Sequence, residues 1–180
     1  GDEQVVAALA DSLTDENSDV RRAVVDSIKA LSAPNSASTI KKITLQLLSG
    51  EWYVREAAQD TLIAVTKKGN TLALACLQEL LTRTEWYARE AATVCIRLLS
   101  HACKCQILDE LGVTCQCQIV EVMIDLTQDP YWKVRLACLN TLQFVANRRD
   151  KRVALACRLR LKDGDFNVRT TAETVLRLFE

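Results

Sequence analysis

The chain has 180 residues, 23 acidic and 23 basic side chains, and a net charge of zero at neutral pH. That balance counts against nucleic acid as a partner, because phosphate contacts need surplus Lys and Arg. The longest apolar runs, such as residues 72–77, fall far short of the roughly 20 residues of a membrane-spanning helix, and no basic-then-apolar leader opens the chain, so a soluble, intracellular protein of the cytoplasm or nucleus is expected.

In chain order, residues 3–13 read as a first helix, 14–18 as a turn and 19–32 as its partner, with acids in the first turn where the helix dipole favours them. Pro34 cannot continue that helix, and Ser36 is placed to cap the next, which runs to residue 48. After the Ser49-Gly50 turn, residues 52–68 form the best-defined helix, closing on Lys67 and Lys68 with Gly69 as a left-handed exit. Asn70 caps 71–82, and 85–100 completes the third pair. Residues 101–112 are expected to add a short helix ended by Gly112. Thr114 then caps a helix reaching residue 127, and Pro130 stands at or just before the start of its partner. A charged connection, residues 148–151, leads into a fifth pair that ends at Glu180.

These pairs are copies of one unit. Trp52-Tyr53-Val54-Arg55-Glu56-Ala57-Ala58 returns as Trp86-Tyr87-Ala88-Arg89-Glu90-Ala91-Ala92, with weaker copies around Arg21, Arg135 and Arg169. The residue before each arginine steps by 34, 34, 46 and 34 positions, so one step carries twelve extra residues. Aligned, the copies give apolar columns: Val24, Ala58, Ala92, Cys138 and Ala172; Ile28, Leu62, Ile96, Leu142 and Leu176; Leu31, Val65, Leu99, Val145 and Phe179. Spacings of four, four and three put these on one face of a helix. Leu13, Leu47, Leu81, Leu126 and Leu161 end the first helix of each pair.

With its acid, a few turn residues and then Val-Arg-x-x-Ala-x-x-x-Leu, the chain resembles the HEAT-repeat family, and within it is similar to the short phycobilisome-lyase HEAT-like repeats. The resemblance implies an all-α, right-handed α-solenoid of about five helix pairs with one extra short helix. The units lie at about 3–34, 35–69, 70–100, 113–148 and 149–180, with the insertion at 101–112, in a single domain. The absence of an initial Met and the apolar end at Leu178 and Phe179 suggest a segment of a longer array. The fold is nearly silent on function, because it hosts scaffolds, transport receptors and a few enzymes.

Several constellations invite a chemical reading. The column Arg21, Arg55, Arg89, Arg135 and Arg169 could line a phosphate track. In the family the equivalent arginine commonly pairs with an acid of its own or an adjacent turn, and Asp15, Glu51, Glu85, Asp129 and Asp163 supply such acids, so a structural ladder is expected. Trp52, Trp86, Trp132 and Phe166, with Tyr53, Tyr87 and Tyr131 beside them, form an aromatic column that either covers the helix starts or anchors a partner. Cys103, Cys105, Cys115 and Cys117 could supply four thiolates to zinc, yet residues two apart on a helix face different sides, so no metal is expected. Cys76, Cys95, Cys138 and Cys157 take core positions and are read as reduced.

No catalytic set emerges. The one histidine, His101, has no acidic neighbour of the kind the family's iron hydroxylases carry, and no phosphate loop, nucleophile elbow or H-E-x-x-H occurs. The expected function is therefore a non-enzymatic, cofactor-free scaffold that binds another protein. Its sites would be the concave face of the second helices, with Arg22, Lys29, Glu56, Gln59, Asp60, Ile63, Arg97 and Gln143 displayed and Ile63 as anchor, or the basic C-terminal end at Arg148, Arg149, Lys151 and Arg152. That end fits an acidic segment or the acidic start of another copy, which leaves self-association open. The alternatives are a nucleic-acid-binding HEAT domain similar to the alkylpurine DNA glycosylases, and a tubulin-binding HEAT array.

Overall fold

The structure is a computed structural model and describes residues 3–33, 35–100, 115–148 and 150–180, with side chains from Gln4 and, in the third segment, from Gln118 onward. The expected helix at 101–112, the Thr114 cap, His101 and the Cys103, Cys105, Cys115 and Cys117 side chains lie outside that description. The described secondary structure is helical throughout, and the chain divides into two compact units, Gly1–Leu99 and Ser100–Glu180.

The first unit holds α1 (Glu3–Asp11), a 3-10 turn (Ser12–Thr14), α2 (Ser18–Leu31), α3 (Ala37–Gln46), α4 (Trp52–Val65), α5 (Thr71–Leu80) and α6 (Trp86–Ser100). In the second are α7 (Cys115–Leu126), α8 (Trp132–Val145), α9 (Lys151–Arg160) and α10 (Phe166–Leu176). Within each unit the helices form two layers. First helices pack on first helices, α1 on α3, α3 on α5 and α7 on α9; second helices pack on second helices, α2 on α4 and α8 on α10.

Short polar side chains start the helices. Asn17, Ser36, Asn70, Asp150 and Asp165 each accept a backbone N–H from the first turn, satisfying a donor that has no partner inside the helix. The apolar columns form the core: Ile28, Leu62, Ala58, Ala92, Ile96, Cys138, Leu142 and Ala172 are fully enclosed. Each large aliphatic side chain so enclosed contributes roughly 1.5–3 kcal/mol. At the outermost copies the columns come to the surface. Leu31 is 42% exposed and Leu161 38%, whereas Leu99 and Leu81 at the same positions are buried.

The α4 end departs from the sequence expectation. The helix stops at Val65 and Thr66 turns extended, so Lys67 and Lys68 lie beyond it and not in its last turn. The connection between α2 and α3 decides this. Asn35, in the left-handed region at φ 62°, donates its N–H to the Val65 carbonyl (3.0 Å), and its side-chain oxygen accepts the N–H of Lys67 (2.8 Å). Gly69, at φ 79° and 34 positions later, donates in the same way to the carbonyl of Leu99 (3.0 Å). Left-handed φ favours glycine and tolerates asparagine, which is why these two residues occupy the connections.

Candidate interaction surfaces

All five column arginines share one geometry. Each turns its Nη1 back onto two carbonyls of the turn that starts its own helix: Arg21 onto Asp15 and Glu16, Arg55 onto Ser49 and Gly50, Arg89 onto Arg83 and Thr84, Arg135 onto Asp129 and Pro130, Arg169 onto Asp163 and Gly164. The distances run from 2.7 to 3.0 Å. Those carbonyls end the first helix or follow it, where no helical donor reaches them. The arginine therefore clamps the turn between the helices of a pair. For Arg21, Arg55 and Arg169 the partners are carbonyls and an aromatic ring, with no acid at ion-pair distance among the described residues, which differs from the acid pairing anticipated for every copy.

What the guanidinium does beyond its own turn differs along the chain. In the first unit it lies over the tyrosine of the following repeat: Arg21 over Tyr53 at 4.6 Å and Arg55 over Tyr87 at 4.7 Å. Each tyrosine is held edge-on by its tryptophan, Trp52 at 6.0 Å and Trp86 at 5.9 Å between ring centres. In the second unit Arg135 meets a carboxylate of the following repeat, with Nε on Asp163 Oδ2 (2.8 Å) and Nη2 on Oδ1 (2.6 Å). The Asp163 side chain is only 2% exposed. Burial opposes its ionisation, but hydrogen bonds from Arg135 and the Asp165 N–H, with the charges of Arg135 and Arg160, outweigh that and hold its carboxyl below the usual range.

The aromatic column faces largely outward. Trp52 is 65% exposed, Phe166 68% and Trp132 38%, while Trp86 is half-buried. Tyr53 and Tyr87, beside Trp52 and Trp86, make arginine contacts between repeats. Sequence reading groups the two as one column. The signal that separates them is that Tyr53 and Tyr87 fall one position before the Val/Ala column and one repeat beyond a clamped arginine.

On the second helices, Arg22, Lys29, Glu56 and Asp60 are exposed and Gln59, Ile63, Arg97 and Gln143 half-buried, so this row stays at the surface of each unit. Asp26 and Glu90 belong to the same rows and are missing from the sequence-based set, although the 34-residue step aligns Asp26 with Asp60 and Glu90 with Glu56. Asp26, Glu56 and Asp60 have no ion pair among the described residues. The basic end is different. Arg152 is engaged by Asp150 (2.8 Å) and Glu121 (3.2 Å), Arg158 by Glu180 (3.0 Å) and Arg160 by Asp163 (3.5 Å). Arg148 stacks 5.5 Å from the centre of the Phe179 ring, and Lys151 is exposed. Arg149 lies outside the described residues.

Cys76, Cys95, Cys138 and Cys157 are free thiols; burial raises Cys76, pushes Cys95 up to about 12, with the Asp60 charge adding to it, and Cys157 to about 11. No group of three or more metal-binding side chains occurs among the described residues, nor any helix long and apolar enough to cross a membrane.

No protein-family model matches the chain, and no curated protein does. Solved structures do. The chain is similar to Cex1p, with a TM-score of 0.61 at 15% identity, over 95% of this chain and 34% of that one. It is similar to a designed armadillo repeat protein in complex with peptide (KR)4, at 0.58 and 14%, over 98% and 82%. A third match is a set of computationally designed armadillo repeat proteins for modular peptide recognition, at 0.56 and 15%, over 98% and 83%. At such identities the likeness is one of fold, and the fold is a helical repeat solenoid.

Proposed function

We propose that the chain is a non-catalytic scaffold of HEAT type that binds an extended segment of another protein along the exposed row of its second helices. The observation that carries this reading is a row of surface carboxylates with no ion pair among the described residues: Asp26 and Asp60, 34 positions apart, and Glu56 one turn before Asp60, with Ile63 half-buried beside them. Packed helices stand about 8–10 Å apart, and an extended peptide advances about 3.3 Å per residue, so about three residues of a bound segment span one repeat. The segment would carry basic side chains opposite the three carboxylates and an apolar one within reach of Ile63. Two helices per 34-residue copy and the Val/Ala-Arg motif support the HEAT assignment. That similar designed repeat proteins recognise peptides, one of them (KR)4, supports a peptide-like partner.

The basic end is the weaker surface for an acidic segment, since Arg152, Arg158 and Arg160 already have carboxylate partners. The test is fluorescence anisotropy with a labelled (KR)4 peptide and an acidic octapeptide. Glu56→Lys with Asp60→Lys is expected to weaken (KR)4 binding at least about tenfold with the helical signal unchanged, a loss of about 1.4 kcal/mol. Unchanged (KR)4 affinity in that double variant removes the second-helix row as the site. Binding of the acidic peptide alone, lost in Arg148→Glu with Arg152→Glu, moves it to the basic end.

A further inference from the structure

One stripe of α4 faces solvent. Trp52, Glu56, Asp60 and Ile63 follow one another at spacings of four, four and three, the first three exposed and Ile63 half-buried. Trp52 is 65% exposed although a repeat packs on either side of it: α2 lies against α4, and beyond it α5 lies against α3 and Arg55 reaches Tyr87. Its exposure is thus a property of the interior of the array. The Tyr53 ring stands at 85° to the indole. Perpendicular packing covers at most one face of a ring, and no cation lies over Trp52 among the described residues.

Other aromatic residues of these turns do carry a cation. Arg21 lies over Tyr53 and Arg55 over Tyr87, Arg169 stands 5.8 Å from the centre of the Phe166 ring, and the Lys133 ammonium 5.9 Å from that of Trp132. Beside Trp52 stands the carboxylate such a cation would pair with. Glu56 is one turn along α4, which sets the two β-carbons about 5–6 Å apart. Helical side chains lean towards the N-terminus, so the Glu56 carboxylate inclines over the turn that carries the indole. Neither Glu56 nor Arg22, which holds the same position on α2, has an ion pair among the described residues. Trp86 and Glu90 repeat the pair of residue types 34 positions on.

We infer that Trp52 and Glu56 form a seat for one arginine of the bound segment, its guanidinium stacked on the indole and hydrogen-bonded at its edge to Glu56. This rests on the second-helix row being the peptide site, and it adds a choice between the two basic side chains. A guanidinium is planar, so it lays its face on a ring while its in-plane N–H groups meet a carboxylate. The lysine ammonium is a compact, strongly hydrated point charge with no such face. Arginine therefore uses both halves of the seat at once, and lysine uses mainly the carboxylate.

Fluorescence anisotropy of the 180-residue chain with labelled octa-arginine and octalysine, equal in charge, tests this. Octa-arginine is expected to bind about two- to fivefold tighter, the ratio that a ring contact at an exposed site produces. Trp52→Ala is expected to bring octa-arginine down to the octalysine affinity and to leave octalysine binding nearly unchanged, while Trp52→Phe, which keeps a ring, retains part of the preference. Trp132→Ala removes a ring that already carries Lys133 and is expected to leave the ratio as it was. Circular dichroism checks each fold, and Trp52→Leu gives the same comparison should Trp52→Ala not fold. Equal affinities for the two peptides, each still weakened by Glu56→Lys with Asp60→Lys, overturn the arginine seat and leave the second-helix row as the site. An arginine preference that survives Trp52→Ala overturns the seat as well. Binding of neither peptide removes row and seat together.

Discussion

The two units solve one problem with the same arginine and different partners. In both, Nη1 is spent on the carbonyls of its own turn, and in Arg21, Arg55 and Arg135 the rest of the guanidinium reads the next repeat. In the first unit it reads a ring, Tyr53 or Tyr87, one position before the buried Val/Ala; in the second it reads a carboxylate, Asp163, five positions before it. A ring contact at a partly exposed site is worth about 0.5–1 kcal/mol and does not titrate. A buried ion pair costs desolvation to form but about 3–5 kcal/mol to break from one side, because the survivor is left charged and unpaired. The difference teaches that a repeat column keeps a geometry, and that the strength of each joint is set by the residue facing it.

The largest expected effect is therefore in the second unit. Asp163→Ala should destabilise it by about 3 kcal/mol, read as a lowered urea midpoint, while Tyr53→Leu leaves that unit's transition in place. Converting the joint sharpens the point: Asp163→Ser with Asn167→Tyr recreates the residues that stand at these positions in the second repeat, Ser49 and Tyr53. It should lose less than Asp163→Ser alone.

Acid separates the joints next. Because the Asp163 carboxyl is depressed in the folded state, its contribution is complete above the unfolded value of about 3.9 and disappears as pH falls through the lower folded value. The second unit should lose stability below about pH 4, and Asp163→Asn should remove that dependence. The arginine-on-tyrosine joints contain no carboxylate, so no such loss is expected of them.

A smaller loss, about 1–2 kcal/mol and independent of pH, is expected for Gly69→Val. Space is open around Gly69, but its φ of 79° strains a branched side chain. The smallest is Tyr53→Leu, about 0.5–1 kcal/mol, measured as a shift of the first unit's thermal midpoint with little change on adding salt. A loss as large as that of Asp163→Ala would mean the ring joint is the stronger one.

Sequence alone determined the helix pairs, their 34-residue period and the buried columns, because burial on a helix imposes a spacing of three and four that copies cannot hide. It also placed Ser36 and Asn70 as caps, a local contest between one side chain and one backbone donor. It did not determine where α4 ends, since the residue that captures the Val65 carbonyl, Asn35, is 30 positions away and acts through a left-handed backbone that no pattern around Val65 announces. Nor did it decide the arginine partners. Every copy has an acid nearby, and spacing treats them alike, but carbonyls left unpaired between two helices are nearer and their dipoles converge on Nη1. Which group receives the remaining donors depends on how the next repeat packs, and that is a tertiary fact: the distance from Arg135 to Asp163 is 28 residues along the chain and 2.6 Å through space.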